Sequence, residues 1–318
     1  MPLGAPATPP PAAPVAPSAG PPVLPASTSN AQAGSAAAAP IPVSTARAER
    51  DLIASSAAAG ALKRKMGGND PLSVARRIAA ALNAPDMSRL NDIGFFWLAG
   101  LTADDTIVVA NSYGIAYIPD GVNLPEQVKM ASADPSIPPT ERAQWATYPV
   151  AALTAWAQAH EATLRAVIGA KTHLEGIDPG AHKVLLDDDD IPPSGKMTGR
   201  TRLEILSPDA ATKLAAVKDA DLIAQLPPAG ADNTPPANET FTLWFDVMKP
   251  LMSIATGREV AHLNAFVLYA AHAADLALYR AHNAVETADQ RAAIADWLYW
   301  LHQYDLLIEA DADVTAKA

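Results

Sequence analysis

The chain has 318 residues, no cysteine and a formal net charge of −11. The missing cysteine excludes disulfides, thiolate nucleophiles and cysteine-ligated zinc. Residues 1–46 carry no charge, residues 47–90 carry +4 and residues 91–318 carry −15; an acidic body lacks the basic face that phosphate binding needs, which argues against a nucleic-acid partner.

Residues 1–46 are mostly Pro, Ala, Gly and Ser. They hold too little apolar surface to offset their ordering entropy, so a disordered tail with polyproline II character is expected. No basic start, apolar centre and cleavage site follow Met1, so no secretory signal is read. Prolines break the uncharged runs, so no membrane span is expected. Residues 47–66 fit an Ala-rich helix with a thin stripe of Leu52, Ile53 and Leu62, ended by Gly67-Gly68. Asn69 or Asp70 caps a stronger helix that opens on Pro71 and carries Leu72, Ala75, Ile78, Ala79 and Leu82 on one face. A short piece, Asp86–Leu90, leads out of it.

Residues 92–128 are the densest block of strand-type residues. Gly94–Leu101 is a short apolar run, Thr102–Asp105 is turn chemistry, and Thr106–Ala110 is β-branched. Tyr113–Ile118 alternates weakly before Pro119-Asp120-Gly121. Strand, turn, strand, turn is a hairpin or meander, expected to be the sheet on which the helices pack. Gln127–Ala131 fits a further strand, Thr140–Thr147 one or two helical turns, and the stretch after Pro149 a helix. Ala162–Ala170, Ala181–Leu186 and Arg200–Leu206 each read as strands, the last because Leu203 and Ile205 alternate with Arg202 and Glu204. Ser207-Pro208-Asp209 starts a helix, or two short ones, reaching about Leu226.

Pro227 to Asn238 is a Pro-rich linker, and beyond it the pattern is helical. Asn238 caps a helix to Ala255 that Pro250 kinks. Arg258–Val285 is a long helix, and Thr287 with Gln290 fits a capping box for the last one. Ile294, Trp297, Leu301, Tyr304 and Ile308 recur as a seam for an antiparallel hairpin. The expected architecture is α+β: a small antiparallel sheet packed with helices, plus a C-terminal helical hairpin or bundle. The divisions are a tail (1–46), an α+β domain (47–226), a linker (227–238) and a helical subdomain (239–318).

No motif for chemistry stands out. His262, His272 and His282 are ten residues apart, which does not place them on one helix face, so surface or capping roles are expected and no metal is assigned. Asp187–Asp190 runs into Ile191-Pro192-Pro193 and lacks the alternating ligands and central Gly of a calcium loop. Ser194–Arg200 lacks the first Gly and the hydroxyl after Lys of a phosphate loop, and Tyr113-Gly114-Ile115-Ala116 is not a nucleophile elbow. No catalytic residue and no cofactor is assigned. Tyr299 and Trp300 cannot both face a narrow seam, so aromatic area is expected at the surface. Tyr113, Tyr117, Trp297, Tyr299 and Trp300 are the candidate partner-binding residues.

The run from Phe95 to Ala157 carries Leu98-Ala99-Gly100-Leu101-Thr102, Ala110 to Pro119 and Ala133 to Pro138. It resembles the C-terminal domain of EspK-type accessory proteins of mycobacterial type VII (ESX) secretion. The Pro/Ala-rich stretch ahead of a folded region is also like that family. The resemblance implies a non-enzymatic adaptor or chaperone. Its implied partners are a secreted helical substrate of EspB type and the FtsK/SpoIIIE-type secretion ATPase. It further implies a cytoplasmic location, with export in company of a partner, because neither the WxG turn nor the Tyr-x-x-x-Asp/Glu of the type VII export signal is found. The alternatives weighed are a secreted structural or effector protein and a hydrolase of unrecognised type.

Overall fold

The structure, a computed structural model, describes residues 70–88, 92–229 and 234–316, with side chains as far as residue 310. The expected tail and the expected helix at 47–66 lie outside the described residues.

Helix α1 (Pro71–Leu82) forms as its sequence dictates. Pro71 occupies the first turn, and the Asp70 carboxylate accepts the Ser73 N–H at 3.2 Å. Strands β1 (Trp97–Thr102) and β2 (Ile107–Asn111) make the expected hairpin, with Leu98 opposite Ala110 and Leu101 opposite Ile107. Strand β3 (Val128–Met130) runs parallel to β2. Helices α2 (Pro139–Ala143) and α3 (Pro149–Ala159) come next. Then β4 (Leu164–Ala170) pairs antiparallel with β1, and the single turn α4 (Lys171–Leu174) leads to β5 (His182–Leu186), parallel to β4. The order is β3-β2-β1-β4-β5. The α+β class is as expected, but the sheet is mixed rather than purely antiparallel.

Every residue of β1 and β2 is buried, because both faces of the sheet are covered. Trp97, Ala99 and Leu101 join Ile78, Ala79 and Leu82 of α1 on one side. Leu98, Val108 and Val167 join Leu153 and Trp156 of α3 on the other.

Arg202–Leu206 is helix α5, not a strand. Thr201 accepts the Glu204 N–H, and the Glu204 carboxylate accepts the Thr201 N–H at 2.7 Å. This reciprocal cap fixes the first turn and outweighs the alternation of Leu203 and Ile205. Helix α6 (Pro208–Ala216) begins where Pro208 places it, but the Ser207 hydroxyl turns to His302 Nε2 at 3.0 Å instead of capping.

Helix α7 (Thr240–Met248) gives way to a 3-10 turn, Lys249–Met252, at Pro250, so it ends short of Ala255. Helices α8 (Arg258–Asn283) and α9 (Thr287–Ala316) are the expected hairpin. Gln290 Nε2 donates to Ala281 O at 3.1 Å, at the end of α8, so it bridges the two helices. The buried seam of α9 runs through Ile294, Tyr299, Trp300, Gln303, Leu307 and Ala310, while Ile308 is exposed. It is therefore rotated from the expected Trp297–Leu301–Tyr304 line. The rotation follows from packing on two sides: α9 meets α8 along one flank and α2, α5 and α6 along others.

Candidate functional site

The segment after β2 joins the sheet to the helices, and it carries the first two expected site residues. Asn111 organises it. Its Nδ2 donates to Tyr117 O at 2.7 Å, and its Oδ1 accepts the N–H groups of Tyr113 and Gly114, both at 3.0 Å. Ile115 and Ala116 then take φ of 28° and 55°, conformations that cost L-residues about 1–3 kcal/mol each. The weak alternation of Tyr113–Ile118 thus belongs to a pinned loop. It is held from outside by α9: the Tyr299 hydroxyl accepts the Ile118 N–H at 2.8 Å, and Gln303 Nε2 donates to Ile115 O.

This arrangement corrects the expectation of exposed aromatics. Tyr113, Tyr117 and Tyr299 are fully buried, and Trp300 is 3% exposed. Tyr113 and Tyr117 stack at 5.6 Å beneath Trp244 of α7, and Phe266 of α8 meets Tyr117 edge-on at 5.4 Å. Tyr299 and Trp300 do face different ways, as adjacent helix positions must, but each direction is covered. Arg202 of α5 lies over both rings, 4.7 Å and 5.7 Å from their centroids. It is held there by Asp296 at 2.5 Å, which also takes Arg280 at 3.1 Å. Burial opposes the Arg202 charge, but Asp296, together with Tyr299 and Asp120, more than restores it and raises its pKa. One aromatic core thus runs from residue 113 to residue 310.

Trp297 remains. It is half-buried and lines a groove of about 460 Å³ between α6 and α9, together with Asp209, Lys213, Leu214, Ile294 and His302. The groove offers an indole face, aliphatic walls and a polar rim, which is the chemistry of a protein-binding surface.

Two polar clusters that sequence reasoning missed are structural in geometry. Asp134 accepts from Trp156 Nε1 at 2.7 Å, from Ser136 N–H at 2.9 Å and hydroxyl at 2.6 Å, and meets His160 Nε2 at 2.8 Å. Burial pushes its pKa up, and these bonds pull it further down, so it stays ionised. Ser136 also approaches His160, at 3.4 Å, but at the same Nε2 that faces Asp134. A relay needs the acid on one ring nitrogen and the nucleophile on the other; here the cluster staples the 131–138 loop to the end of α3.

The second cluster is His262, fully buried rather than at the surface. Its Nδ1 lies 2.8 Å from Val247 O and its Nε2 2.9 Å from Tyr113 O, so it ties α8 to the end of α7 and to the post-β2 loop. Its spacing from the other histidines gave no signal of this, because the partners are backbone atoms distant in sequence. Among the described residues no three His, Asp or Glu side chains gather to hold a metal, and no helix is long and apolar enough to cross a membrane.

The family model described as EspK C-terminal domain matches residues 85–312, from just after α1 to within α9. The chain is 56% identical over 270 residues to "ESX-1 secretion-associated protein EspK" of Mycobacterium tuberculosis, a match that covers 85% of this chain and 37% of that protein. It is 53% identical over 272 residues to an uncharacterized protein of Mycolicibacterium smegmatis, covering 86% of this chain and 36% of that one. The chain thus spans little more than a third of the length of these curated relatives. With a matching model over most of its folded part and more than half of its aligned residues identical to EspK, the chain belongs to the EspK C-terminal domain family.

Proposed function

We propose that this chain is a non-enzymatic adaptor of ESX-1 secretion that binds a secreted helical substrate of EspB type and connects it to the FtsK/SpoIIIE-type secretion ATPase. The observation that carries this reading is the 56% identity over 270 residues to an ESX-1 secretion-associated protein. The Trp297 groove supports it, since a half-exposed indole between two helices offers an anchor site for the apolar face of a third. The adaptor works in the cytoplasm and leaves the cell, where it does so, in company with its substrate.

The test is calorimetric titration of the full chain with a purified EspB-type substrate. Binding on the order of micromolar or tighter is expected. Trp297→Ala weakens it by at least about tenfold, as truncating an indole anchor does, while the circular dichroism spectrum stays unchanged. No heat and no co-elution at substrate concentrations of about 100 μM would overturn the reading.

A further inference from the structure

A second groove, built from different elements than the Trp297 groove, runs along the outer face of α3. Its volume is about 570 Å³, and Phe96, Trp145, Tyr148 and Ile177 wall it. Tyr148 is 37% and Ile177 41% exposed. The floor carries small side chains, Ala151 and, one turn on, Ala155. This is a contiguous apolar surface with a defined axis, not a scatter of single exposed residues.

Arg258 closes one end. Its guanidinium sits 4.8 Å from the Tyr148 ring centroid. Nε donates to Thr147 Oγ1 at 3.1 Å, and the two terminal nitrogens donate to Ser253 O at 3.0 Å and Thr147 O at 3.2 Å. All of these partners are neutral. Among the described residues Arg258 has no ion pair, although Arg76, Arg165, Arg200, Arg202, Arg280 and Arg291 each have one. The adjacent Glu259 reaches the Tyr148 hydroxyl, at 3.4 Å, rather than the guanidinium. In a chain of net charge −11, a cation fixed by three hydrogen bonds and left without a carboxylate is complementary to one brought from outside.

The form of the occupant follows from the lining. An extended segment would need partners for all of its own N–H and C=O groups, whereas the walls are aromatic and aliphatic and, from Ala152 onward, the N–H groups of α3 are bonded within the helix, which leaves only its first turn to offer donors. A helix arrives with those groups already satisfied. Alanines on the floor let helix axes approach to about 8–10 Å, and the 11 residues of α3 offer about 16 Å of contact, three turns of a partner. We propose that this groove docks an amphipathic helix of a partner protein, its apolar edge between Tyr148 and Ile177 and a carboxylate at one end on Arg258. The proposal rests on the groove's own chemistry and holds whether or not Trp297 contacts a substrate.

Two synthetic 16-residue amphipathic peptides test it, alike in leucine at i, i+3, i+4 and i+7 and differing only in Glu or Lys beside that edge. They are titrated into the full chain while the Ile177 and Val150 methyl resonances are followed by NMR. The Glu peptide is expected to shift both resonances saturably and to bind at least about tenfold tighter than the Lys peptide. Arg258→Glu is expected to invert that preference. Because Arg258 also holds Thr147 and Ser253, a second variant, Ala151→Arg, fills the exposed floor without touching that network and abolishes binding of both peptides. Equal affinity for the two peptides, binding that survives Ala151→Arg, or unmoved Ile177 and Val150 resonances at millimolar peptide would each overturn the proposal.

Discussion

Replacing His262 by Leu keeps a side chain of similar volume but removes the one N–H that the neutral ring gives to Val247 O or Tyr113 O. Burial lowers the imidazole pKa below its ordinary value, against the pull of the Val247 and Tyr113 carbonyls and with the help of nearby Arg258. A neutral ring donates from one nitrogen only, so the substitution removes one hydrogen bond from a fully buried site. An orphaned buried acceptor costs about 1–3 kcal/mol. With a urea slope of about 2 kcal/mol/M, the midpoint falls by about 0.5–1.5 M at unchanged slope. The pH dependence supplies a second reading. Since the folded-state pKa lies below the unfolded value of about 6.5, the unfolded chain takes up the proton first as pH falls. His262 therefore contributes stability that is present above about pH 6.5 and is lost below it, at up to about 1.4 kcal/mol per pH unit until the folded pKa is reached. His173, whose pKa burial also lowers, adds a slope of the same sign, so the quantity to measure is the difference between wild-type and His262→Leu curves from pH 8 to pH 5. A midpoint unmoved at pH 7, or parallel curves, would refute the argument.

Tyr299→Phe removes only the hydroxyl that accepts the Ile118 N–H and donates to Ala116 O at 3.3 Å; a loss of about 1–3 kcal/mol in chemical denaturation is expected. Arg202→Met leaves Asp296, 22% exposed at the side chain, with Arg280 alone, and Asp296→Asn leaves Arg202, 10% exposed, with only the longer Asp120 contact at 3.5 Å. Each single change therefore costs more than its share of the double mutant, and a cycle read by thermal melting returns a coupling of at least about 1 kcal/mol. Gly195→Ala places a Cβ 1.9 Å from Ala81 O, at the last turn of α1. Backbone cannot yield there as a flexible side chain would, so the melting temperature drops by several degrees, on the scale of about 2–4 °C per kcal/mol.

Elements fixed by local chemistry were legible in the sequence. Pro71 after Asp70, the turn between β1 and β2, and Ser207-Pro208 each act within four residues, and the structure places each element where those residues put it. Arg202–Leu206 is a helix where alternation over Arg200–Leu206 suggests a strand, because the alternation and a Thr201–Glu204 cap compete over the same residues and the cap's two hydrogen bonds decide for the helix. The aromatic positions were not legible for a different reason. Burial of Tyr113 and Tyr117 depends on Trp244 and Phe266, more than a hundred residues downstream, and burial of Trp300 depends on Arg202 reaching across from another helix. Periodicity within α9 sees one neighbour, whereas α9 has several. Of the five expected site residues the structure leaves Trp297 half-exposed in a groove and puts the other four inside. The α3 groove had no single motif at all: its walls come from Phe96 just ahead of β1, the α2–α3 turn and the loop after α4, and its cation from α8.

The adaptor reading is tested most directly by sedimentation of the EspB-type substrate with the soluble domain of the secretion ATPase, in the presence and absence of the full chain. The account predicts that the two co-sediment as one species only when the chain is added, and that Trp297→Ala dissolves that species while leaving the chain folded. A substrate and an ATPase that sediment separately at every chain concentration, with the chain bound to neither, would contradict it.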